Sequence, residues 1–265
     1  MKKVGIIGLG LIGASILKCL SKNSDYELFC YSNSSTQKAL EYCKNASDSI
    51  EIVSNCDIIF VCTKLSQTLE TLEKLNSILD EKTLVVDVSS IKSNLLNKSF
   101  NFNFILSHPM AGSEKSGFDA NQEDLFKNCV WLIEKENELL EKIISDLGAK
   151  ILKIDMQEHD KMCAEISHLP TILSFLLFEN ASDSSKQIAS SGFRDTTRLA
   201  MTNSDLAFSM FNYNKENILK AFDNLINKLD YLKNLSDDEK INLFEEIAQK
   251  RAKMYDNEGK NIFKI

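Results

Sequence analysis

The sequence predicts an α/β domain followed by an all-helical domain, in a chain of 265 residues. Three observations support this prediction. Short apolar strands alternate with helices up to about residue 155, and a glycine-rich turn joins the first strand to the first helix. Beyond residue 155, apolar residues recur every three or four positions without further strands. We therefore predict two domains of ordinary size, residues 1–155 and residues 156–265.

Composition and charge argue against several classes of protein. The net charge is −7 and no cluster of basic residues occurs, which argues against nucleic acid as a partner. Seven cysteines are scattered without a CxxC pair, so we predict reduced thiols in a cytoplasmic protein rather than disulfides or a metal site. Glycines interrupt the apolar run at residues 4–17, which lacks a signal-peptide cleavage site. No other stretch approaches the roughly 18 apolar residues of a membrane span.

A dinucleotide-binding pattern lies between the first strand and the first helix in the sequence. A strand at residues 4–7 runs into Gly8, Gly10 and Gly13, which have GxGxxG spacing, and a helical pattern follows through Leu20. The first glycine permits a tight turn, the second lets a pyrophosphate approach backbone amides, and the third lets the helix pack on the strand. The helix N-terminus favours the anionic pyrophosphate. The pattern predicts a Rossmann-type domain that binds a dinucleotide at Gly8, Leu9, Gly10, Leu11, Ile12 and Gly13.

The loop after the second strand bears on the choice between NAD and NADP. The strand at residues 27–31 ends about 20 residues past the glycines, where an acid usually binds the ribose of NAD. Ser32, Asn33 and Ser34 stand there instead, and no acid is present. Short hydroxyl and amide side chains suit a 2′-phosphate, although the usual arginine is missing. The predicted cofactor is therefore NAD or NADP, and the alternative is a polar loop with no effect on cofactor choice.

Two buried strands, at residues 57–62 and 83–88, enclose a helix at residues 66–79. The second strand is followed by Ser89 and Ser90, with Lys92 close behind. Ligands bind at the carboxyl edge of a parallel sheet, which makes these residues site candidates. The alternative is that one of the serines caps a helix that starts near Ile91.

The stretch from His108 to Gly117, HPMAGSEKSG, is the strongest candidate for a substrate site. It follows a strand at residues 102–107, and Pro109 fixes the backbone beside the His108 imidazole. Gly112 and Gly117 permit conformations or close approaches that a side chain would block. A rigid polar loop with a histidine suits a small polar substrate, and the alternative is an ordinary loop whose histidine caps another element. The polar residues of the stretch between Gly112 and Gly117 are Ser113, Glu114, Lys115 and Ser116.

The remaining pattern completes the α/β half and then becomes helical. A strand at residues 130–134, a helix through Leu147 and a strand at residues 150–154 end the alternation, and Trp131 is predicted to lie in the core. The last helical segment alternates Lys and Glu, which indicates a solvated face, with a dimer seam as the alternative. Helices are predicted at residues 162–178, 217–232 and 238–254.

Two stretches of the helical half carry side chains suited to chemistry. His168 interrupts an otherwise apolar helix and is either a hydrogen-bonded core group or a substrate-binding residue. Arg194 and Arg198 are four residues apart, so in a helix they would share a face. Paired arginines suit a substrate carboxylate, and the alternative is an ion pair with an acid of the protein.

Five motifs in order, GLGLIG, DVSSIK, HPMAGSEKSG, SHLP and GFRDTTR, make the chain resemble the prephenate dehydrogenase family of tyrosine biosynthesis. The resemblance spans nearly the whole chain, and HPMAGSEKSG is its most specific part. It implies that hydride passes from ring C4 of prephenate to NAD or NADP while the ring carboxylate is lost, which gives 4-hydroxyphenylpyruvate. It also implies a homodimer formed through the helical domain.

The resemblance implies roles for the residues that match the family's motifs. His108 would accept a hydrogen bond from the substrate 4-hydroxyl, and Ser90 would position that histidine and the nicotinamide. Arg198 would bind a substrate carboxylate, and Arg194 matches a basic position near the substrate that the partner subunit can supply. A neutral imidazole near its ordinary pKa of about 6.5 can take the hydroxyl proton, and aromatisation drives the decarboxylation without a metal. The further substrate-binding candidates are Ser113, Glu114 and His168.

Two departures from the family pattern leave specificity and regulation open. Thr171 stands where the family often has a second histidine, and residues 206–211 read LAFSMF where it often has a tryptophan. An arogenate or dual-specificity cyclohexadienyl dehydrogenase is a close alternative. A non-catalytic dinucleotide sensor is another, but it would not need His108, Ser90 and Arg198 together. A generic hydroxyacid dehydrogenase usually relies on a lysine in its helical half, for which no strong candidate occurs.

Overall fold

The computed structural model describes residues 1–113 and 115–255. The chain forms two compact units, of which the first runs from Met1 to Ile218 and the second begins at Leu219. The first unit is built on an eight-stranded sheet. Its strands are β1 (Lys2–Ile7), β2 (Tyr26–Tyr31), β3 (Asn45–Ser47), β4 (Ile58–Val61), β5 (Leu84–Asp87), β6 (Asn103–Pro109), β7 (Val130–Ile133) and β8 (Lys150–Lys153).

The sheet has the strand order β3-β2-β1-β4-β5-β6-β7-β8. Strands β1 to β6 are parallel, β7 is antiparallel to β6, and β8 is parallel to β7. The first six strands have the order of a doubly wound dinucleotide-binding fold, in which the direction of winding switches beside β1. The carboxyl ends of β1 to β6 share one edge of the sheet, which is where ligands bind in such folds.

Alternate side chains of the strands pack into two cores on opposite faces of the sheet. In β4, Ile58 and Phe60 enter one core, and Ile59 and Val61 enter the other. Because both faces are covered, the central strands are continuous apolar runs, which is why the sequence shows them clearly. The helices of this half are α1 (Leu11–Leu20), α2 (Thr36–Ala39), α3 (Leu65–Asn76) and α4 (Glu138–Asp146). Helices α1 and α4 cover the first core, and α3 covers the second.

All elements after β8 in the described residues are helical. A π-helical segment, Ala164–His168, joins two of them into one continuous helix. Pro170, in the first turn after that segment, has no amide hydrogen to donate, which accounts for the irregular winding there. The helices are α5 (Met156–Cys163), α6 (Leu169–Asn180), α7 (Asp183–Lys186), α8 (Ser191–Thr196), α9 (Ser204–Tyr213), α10 (Lys215–Asn234) and α11 (Asp237–Met254).

The predicted elements of the sheet half are confirmed with small shifts of their ends, apart from one error. The structure also has short elements that were not predicted, among them the one-turn helix α2. The short polar strand β3 was not predicted, because it has no apolar pattern. The helix predicted near Ile91 is wrong: residues 93–97 form turns. The backbone amides of Lys92 and Ser93 donate to the Asp160 carboxylate, each at 2.8 Å. Ser89 therefore caps no helix, and its hydroxyl bonds to the Asp87 carboxylate instead.

The continuous helix Met156–Asn180 corrects the expectation about membrane spans. By length and composition alone it is apolar enough to cross a membrane, with a mean hydropathy of 1.2. Its buried residues include His159, Asp160 and His168, which hydrogen-bond within the protein. Apolar residues such as Ile166 and Leu176 are exposed on it. A single helix of this kind is weak evidence for a membrane, because core helices of globular proteins have the same composition.

The second unit consists of α10 from Leu219 onward and α11. Helix α11 begins with a capping box in which the Ser236 and Glu239 side chains each bond the other's backbone amide. None of its residues is buried, and Ile241, Phe244 and Ile247 are more than half exposed. Such a helix is consistent with both a solvated face and a dimer seam. The domain boundary near residue 155 coincides with the change from sheet to helices and stays a prediction.

Candidate active site

The glycine turn after β1 has the shape that a dinucleotide requires. Gly8 has a φ of +86°, and a Cβ there would lie 2.7 Å from the Cys62 carbonyl oxygen. A Cβ on Gly13 would lie 2.0 Å from the Gly8 carbonyl oxygen, so only glycine lets α1 approach β1. A Cβ on Gly10 would meet nothing within 4 Å. The turn therefore has no room for a side chain at Gly8 and Gly13, and it is open at Gly10, the glycine expected to face a ligand.

The N-terminus of α1 fits an anion. Gly10 is the N-cap and has no side chain to cap the helix, and amides of the first turn, such as those of Leu11 and Ile12, have no acceptor within the helix. The first turn contains no acidic residue to offset the partial positive charge of the helix end. The side chain of Leu9 lies in the core, so only its backbone can face a ligand. These residues fit the pyrophosphate of NAD or NADP.

Ser32 organises the loop that follows β2. Its side chain is buried, and Oγ accepts hydrogen bonds from the amides of Ser34 at 3.4 Å and Ser35 at 3.1 Å. Thr36 Oγ1 donates to the Ser32 carbonyl oxygen at 2.7 Å. The side chains of Asn33 and Ser34 are exposed. The loop is closed by its own hydroxyls and presents polar, uncharged groups outward.

A fully buried ion pair joins Asp87, at the end of β5, to Lys92. Lys92 Nζ also donates to the carbonyl oxygens of Ser89 and Ser107, each at 2.6 Å. Ser107 Oγ donates to the Asp87 carbonyl oxygen at 2.9 Å and accepts from Trp131 Nε1 at 3.1 Å. Because the ammonium donors are used inside the protein, Lys92 holds the ends of β5 and β6 together rather than reaching a ligand.

A hydrogen-bond chain runs from Asp160 through His159 to His108. His159 Nδ1 lies 2.7 Å from Asp160 Oδ1, and His159 Nε2 lies 2.9 Å from His108 Nδ1. His159 and Asp160 are buried, and His108, near the carboxyl end of β6, is half-buried. The amides of Lys92 and Ser93 hold the Asp160 carboxylate, so the chain is fixed at both ends by backbone of the sheet half.

This chain determines which nitrogen of His108 carries the hydrogen. Burial raises the pKa of Asp160, but hydrogen bonds from His159 and two backbone amides bring it below its usual range. An ionised carboxylate only accepts, so His159 Nδ1 carries the hydrogen and His159 Nε2 accepts. His108 Nδ1 must then donate, which leaves His108 Nε2 as a bare acceptor.

The surroundings of His108 also keep its ring neutral. Burial lowers the pKa of His108 well below its usual value, and the positive charge of Lys92 and the neighbouring His159 and His168 lower it further. Burial likewise lowers the pKa of His168, to about 4. His108 is therefore available as a proton acceptor at neutral pH.

The loop after His108 leads to a contact with helix α1. Gly117 has a φ of +86° and leads into a 3₁₀ turn, Phe118–Ala120, in which Phe118 and Ala120 are buried. The Gln122 amide donates to Ser15 Oγ on α1 at 2.9 Å. The chain that follows the predicted substrate segment, residues 108–117, therefore contacts at Gln122 the helix that begins at the dinucleotide turn.

Comparisons with known proteins cover both halves of the chain. Residues 28–153 match the family model "Prephenate dehydrogenase, nucleotide-binding domain", and residues 155–250 match "Prephenate dehydrogenase, dimerization domain". A prephenate dehydrogenase of Lactococcus lactis subsp. cremoris is 33% identical over 247 residues, which cover 87% of this chain and 70% of the relative. The chain belongs to the prephenate dehydrogenase family.

Solved structures of the prephenate dehydrogenase family have the same fold. The Synechocystis arogenate dehydrogenase is 31% identical, with a TM-score of 0.78, and the match covers 94% of this chain and 97% of that one. The prephenate dehydrogenase from A. aeolicus, in complex with hydroxyphenyl propionate and NAD+, is 26% identical, with a TM-score of 0.82 and coverage of 95% and 97%. The predicted family, the Rossmann-type and helical dimerisation domains, and the binding of NAD or NADP are confirmed.

Several predicted substrate residues of this prephenate dehydrogenase family member lie near the ends of the sheet strands. Ser90 follows β5 and is half-buried, and its side chain makes no hydrogen bond among residues 1–113 and 115–255. Ser113 is half-buried, and its Oγ accepts from the Lys115 amide at 3.2 Å. Glu114 lies outside the described residues. The substrate roles of these residues stay predictions.

His168 is placed as a hydrogen-bonded core group. It is buried, and its Nδ1 lies 3.0 Å from Asn214 Nδ2. The same Asn214 amide donates to the Asp160 carbonyl oxygen at 2.6 Å, so His168 is tied to the helix that carries His159. Thr171 Oγ1 donates to the Ser167 carbonyl oxygen at 2.9 Å. The geometry favours the core interpretation, and substrate binding by His168 stays a prediction.

Arg194 and Arg198 do not lie in one helix, so the condition for a shared helical face is not met. Helix α8 ends at Thr196, and a 3₁₀ turn, Arg198–Met201, follows after Thr197. Arg194 is exposed and pairs with Asp195 at 2.9 Å. Arg198 is also exposed. The hydrogen bond and charge of Arg194 lower the pKa of Asp195, and the charge of Arg198 adds to this effect. Carboxylate binding by either arginine stays a prediction.

Sequence reasoning missed His159, Asp160 and Asn214. One signal was available: His159 is one of three histidines in the chain, and an aspartate directly follows it. Adjacency to an acid does not identify a site, however, because His108 is 51 residues away in sequence.

Proposed function

We propose that this enzyme converts prephenate to 4-hydroxyphenylpyruvate, passing hydride to NAD or NADP and releasing the ring carboxylate as CO₂. The observation that supports this most is the hydrogen-bond chain from Asp160 through His159, which leaves His108 Nε2 as an acceptor. His108 ends β6 at the same edge of the sheet as the glycine turn of β1. Oxidation of an alcohol carbon needs a proton acceptor and a hydride acceptor in one site.

Different residues are assigned to cofactor binding and to proton transfer. Bound NAD or NADP would supply the hydride acceptor, with its pyrophosphate on Gly10 and the N-terminus of α1. His108 Nε2 accepts the proton of the 4-hydroxyl as hydride leaves the same carbon, and Asp160 stabilises the resulting imidazolium through His159. Loss of CO₂ leaves its electron pair in the substrate ring, and His108 returns the proton to the phenolic oxygen. The gain of aromaticity drives this second step.

Substrate capture is assigned to polar residues that match the motifs of the family. The two carboxylates of prephenate need cationic partners, and we assign Arg198 the main role and Arg194 a supporting one. Ser90 is assigned to positioning His108 and the nicotinamide, since the residue is only half-buried and its hydroxyl has no hydrogen-bond partner among the described residues. The remaining assignments, on motif position, are Ser113, Glu114 and His168.

The test is a matrix of assays with the purified full chain. Prephenate and arogenate are each offered with NAD+ and with NADP+, and reduced cofactor is followed. Arogenate is included because a 31% identical relative is an arogenate dehydrogenase. We expect turnover of prephenate, and NADP+ accepted at least comparably to NAD+, because the Ser32 loop carries no acid.

The matched control for this matrix is His108→Asn. This variant should keep cofactor affinity and lose kcat by roughly 10²–10⁴, the usual size of a general acid–base contribution. Turnover of arogenate alone would correct the substrate. Absence of turnover with both substrates, or an unaffected kcat in His108→Asn, would refute the proposed function.

The proposal includes a cytoplasmic homodimer formed through the helical domain. Large apolar side chains are exposed there in the single chain, among them Ile166 at 65% and Phe208 at 70%. Burial of such side chains against a second copy would remove apolar area from water. Light scattering should give twice the chain mass of 29.9 kDa. A monodisperse monomer at micromolar concentration would contradict the dimer.

A further inference from the structure

Three potential metal ligands meet beside the proposed catalytic histidine. Cys163 Sγ lies 3.5 Å from His159 Nε2 and 4.0 Å from His108 Nδ1, and the two nitrogens are 2.9 Å apart. Cys163 and His159 are buried, and His108 is half-buried. We propose that Zn²⁺ binds to these three side chains and thereby inhibits the enzyme; the inhibition rests on the proposed function, and the binding does not.

The spacing of the three donor atoms suits a tetrahedral ion. Zn–N bonds of about 2.0–2.1 Å and a Zn–S bond of about 2.3 Å separate the ligand atoms by about 3.3–3.6 Å. The N–N separation of 2.9 Å is below that range, and the two S–N separations of 3.5 and 4.0 Å lie within and above it. Shifts of about 0.5 Å would therefore admit the ion. Three protein ligands leave one coordination position for water. Imidazole and thiolate together select zinc over the hard cations, which prefer oxygen.

Asp160 orients the His159 ligand as zinc sites commonly require. Its carboxylate binds His159 Nδ1 at 2.7 Å, which leaves the Nε2 lone pair directed at His108 Nδ1 and Cys163 Sγ. Carboxylates of this kind orient metal-bound imidazoles and strengthen them as ligands. Because backbone amides hold Asp160 in place, His159 is preorganised before any ion arrives.

The proton balance of binding is simple. Only a thiolate coordinates, so binding releases the thiol proton of Cys163 to solvent. Because the ion must displace this proton, its affinity should increase with pH. The thiolate and the nearby Asp160 carboxylate together offset the charge of the ion.

Coordination would reverse the hydrogen-bonding role of His108. Its Nδ1 must give up its hydrogen to bind the ion, and the neutral ring then carries that hydrogen on Nε2. An Nε2–H group only donates, so it cannot accept the proton of the substrate 4-hydroxyl. Bound zinc should therefore lower kcat, and a chelator should restore it.

The experiment uses Co²⁺ as a spectroscopic probe on the chelator-treated full chain. We expect a one-to-one complex with visible d–d bands and a near-ultraviolet thiolate-to-cobalt charge-transfer band, both lost when Zn²⁺ is added. Cys163→Ala should lose the charge-transfer band and bind at least about tenfold more weakly. Cys129→Ala is the matched control, because it removes a half-buried thiol outside the cluster. Cys163→Ser provides the same comparison should the alanine variant be unstable.

Inhibition is measured in parallel with binding. Zn²⁺ should inhibit the wild type and Cys129→Ala at concentrations at least about tenfold lower than Cys163→Ala. A missing charge-transfer band in the wild type, or its persistence in Cys163→Ala, would overturn the metal site. A cobalt or zinc complex with unchanged turnover would overturn the inhibition. A chain that turns over neither prephenate nor arogenate in chelator would refute the proposed function instead, since the spectrum does not depend on turnover.

Discussion

His159 Nε2 lies 2.9 Å from His108 Nδ1, and this contact selects the nitrogen with which His108 can accept a proton. An isolated neutral imidazole can carry its hydrogen on either nitrogen. Here His159 Nδ1 donates its hydrogen bond to the Asp160 carboxylate, so His159 Nε2 can only accept a hydrogen bond from His108. The proposed base therefore depends on two buried residues of α5.

The first prediction tests this dependence at His159. His159→Leu removes the acceptor for His108 Nδ1 and should lower kcat by roughly 10–100-fold, with a smaller effect on the KM for substrate, because misoriented His108 weakens the general-base contribution. His159→Gln can still offer a carbonyl oxygen to His108 and should recover part of the loss. Steady-state kinetics and melting temperatures of both variants are compared. Equal kcat losses in Leu and Gln variants of equal stability would reduce His159 to a packing residue.

The second prediction concerns the pH dependence of activity. His108 works when deprotonated, and its pKa is well below the usual 6.5 because of burial, the charge of Lys92 and the neighbouring His159 and His168. In chelator-containing buffer, kcat/KM should stay level as pH falls through 6.5 and should drop only at lower pH. An acidic limb centred at or above pH 6.5 would show that the ring is not desolvated as described.

The third prediction concerns stability and isolates His168. Its pKa is about 4 in the folded chain and about 6.5 when unfolded. A lowered histidine pKa means that the unfolded state binds more protons, so stability is complete above pH 6.5 and declines as pH falls towards 4. At pH 5 the loss from this residue should be about 2 kcal/mol. Denaturant unfolding at pH 7 and pH 5, at fixed protein concentration, should show a smaller difference for His168→Gln than for the wild type. Equal differences would contradict the buried neutral state.

The fold was predictable because its signals are local. Gly13 is required by its contact with Gly8 in a turn only a few residues long, and Gly8 has a positive φ that favours glycine. Buried parallel strands such as β4 appear as unbroken apolar runs. The same locality explains the error near Ile91. There the amides of Lys92 and Ser93 bond to Asp160, a residue 68 and 67 positions away, and this tertiary contact outweighs the local preference for a helix.

The candidate site was only half predictable for the same reason. His108 could be identified by its proline and glycines, which constrain the loop it stands in. His159 and Asn214 could not, because their importance lies in contacts with His108 and His168 across long stretches of chain. Nor does four-residue spacing show that a helix breaks between Arg194 and Arg198.

The fourth prediction concerns cofactor choice. Ser32→Asp places a carboxylate at the end of β2, where it can accept from the ribose of NAD and repel the 2′-phosphate of NADP. The ratio of kcat/KM for NADP+ to that for NAD+ should fall about tenfold or more, which corresponds to about 1.4 kcal/mol. Ser24→Asp, at an exposed position just before β2 and so at the other end of that strand, controls for added charge alone. Unaltered preference in Ser32→Asp, or an equal shift in Ser24→Asp, would remove Ser32 from the cofactor site.

The last prediction concerns substrate capture by Arg198. A charge-assisted hydrogen bond to a carboxylate is worth about 1.5–3 kcal/mol, and 1.4 kcal/mol is a factor of ten. Arg198→Ala should therefore raise the KM for prephenate roughly 10–100-fold and leave the KM for cofactor nearly unchanged, since the pyrophosphate is assigned to α1. Arg251→Ala serves as a control, because Arg251 lies on α11 and is not assigned to the proposed site.

The alternative for Arg198 is a structural ion pair. Asp195 is the candidate partner, because the charge of Arg198 contributes to lowering the Asp195 pKa. That alternative predicts a lower melting temperature and a small loss of activity shared by substrate and cofactor. Melting temperature is therefore measured beside both KM values, for Arg198→Ala and for Asp195→Asn. An unchanged KM for prephenate together with a lowered melting temperature in both variants would place Arg198 in the scaffold. A raised KM in Arg198→Ala alone would place it at the substrate.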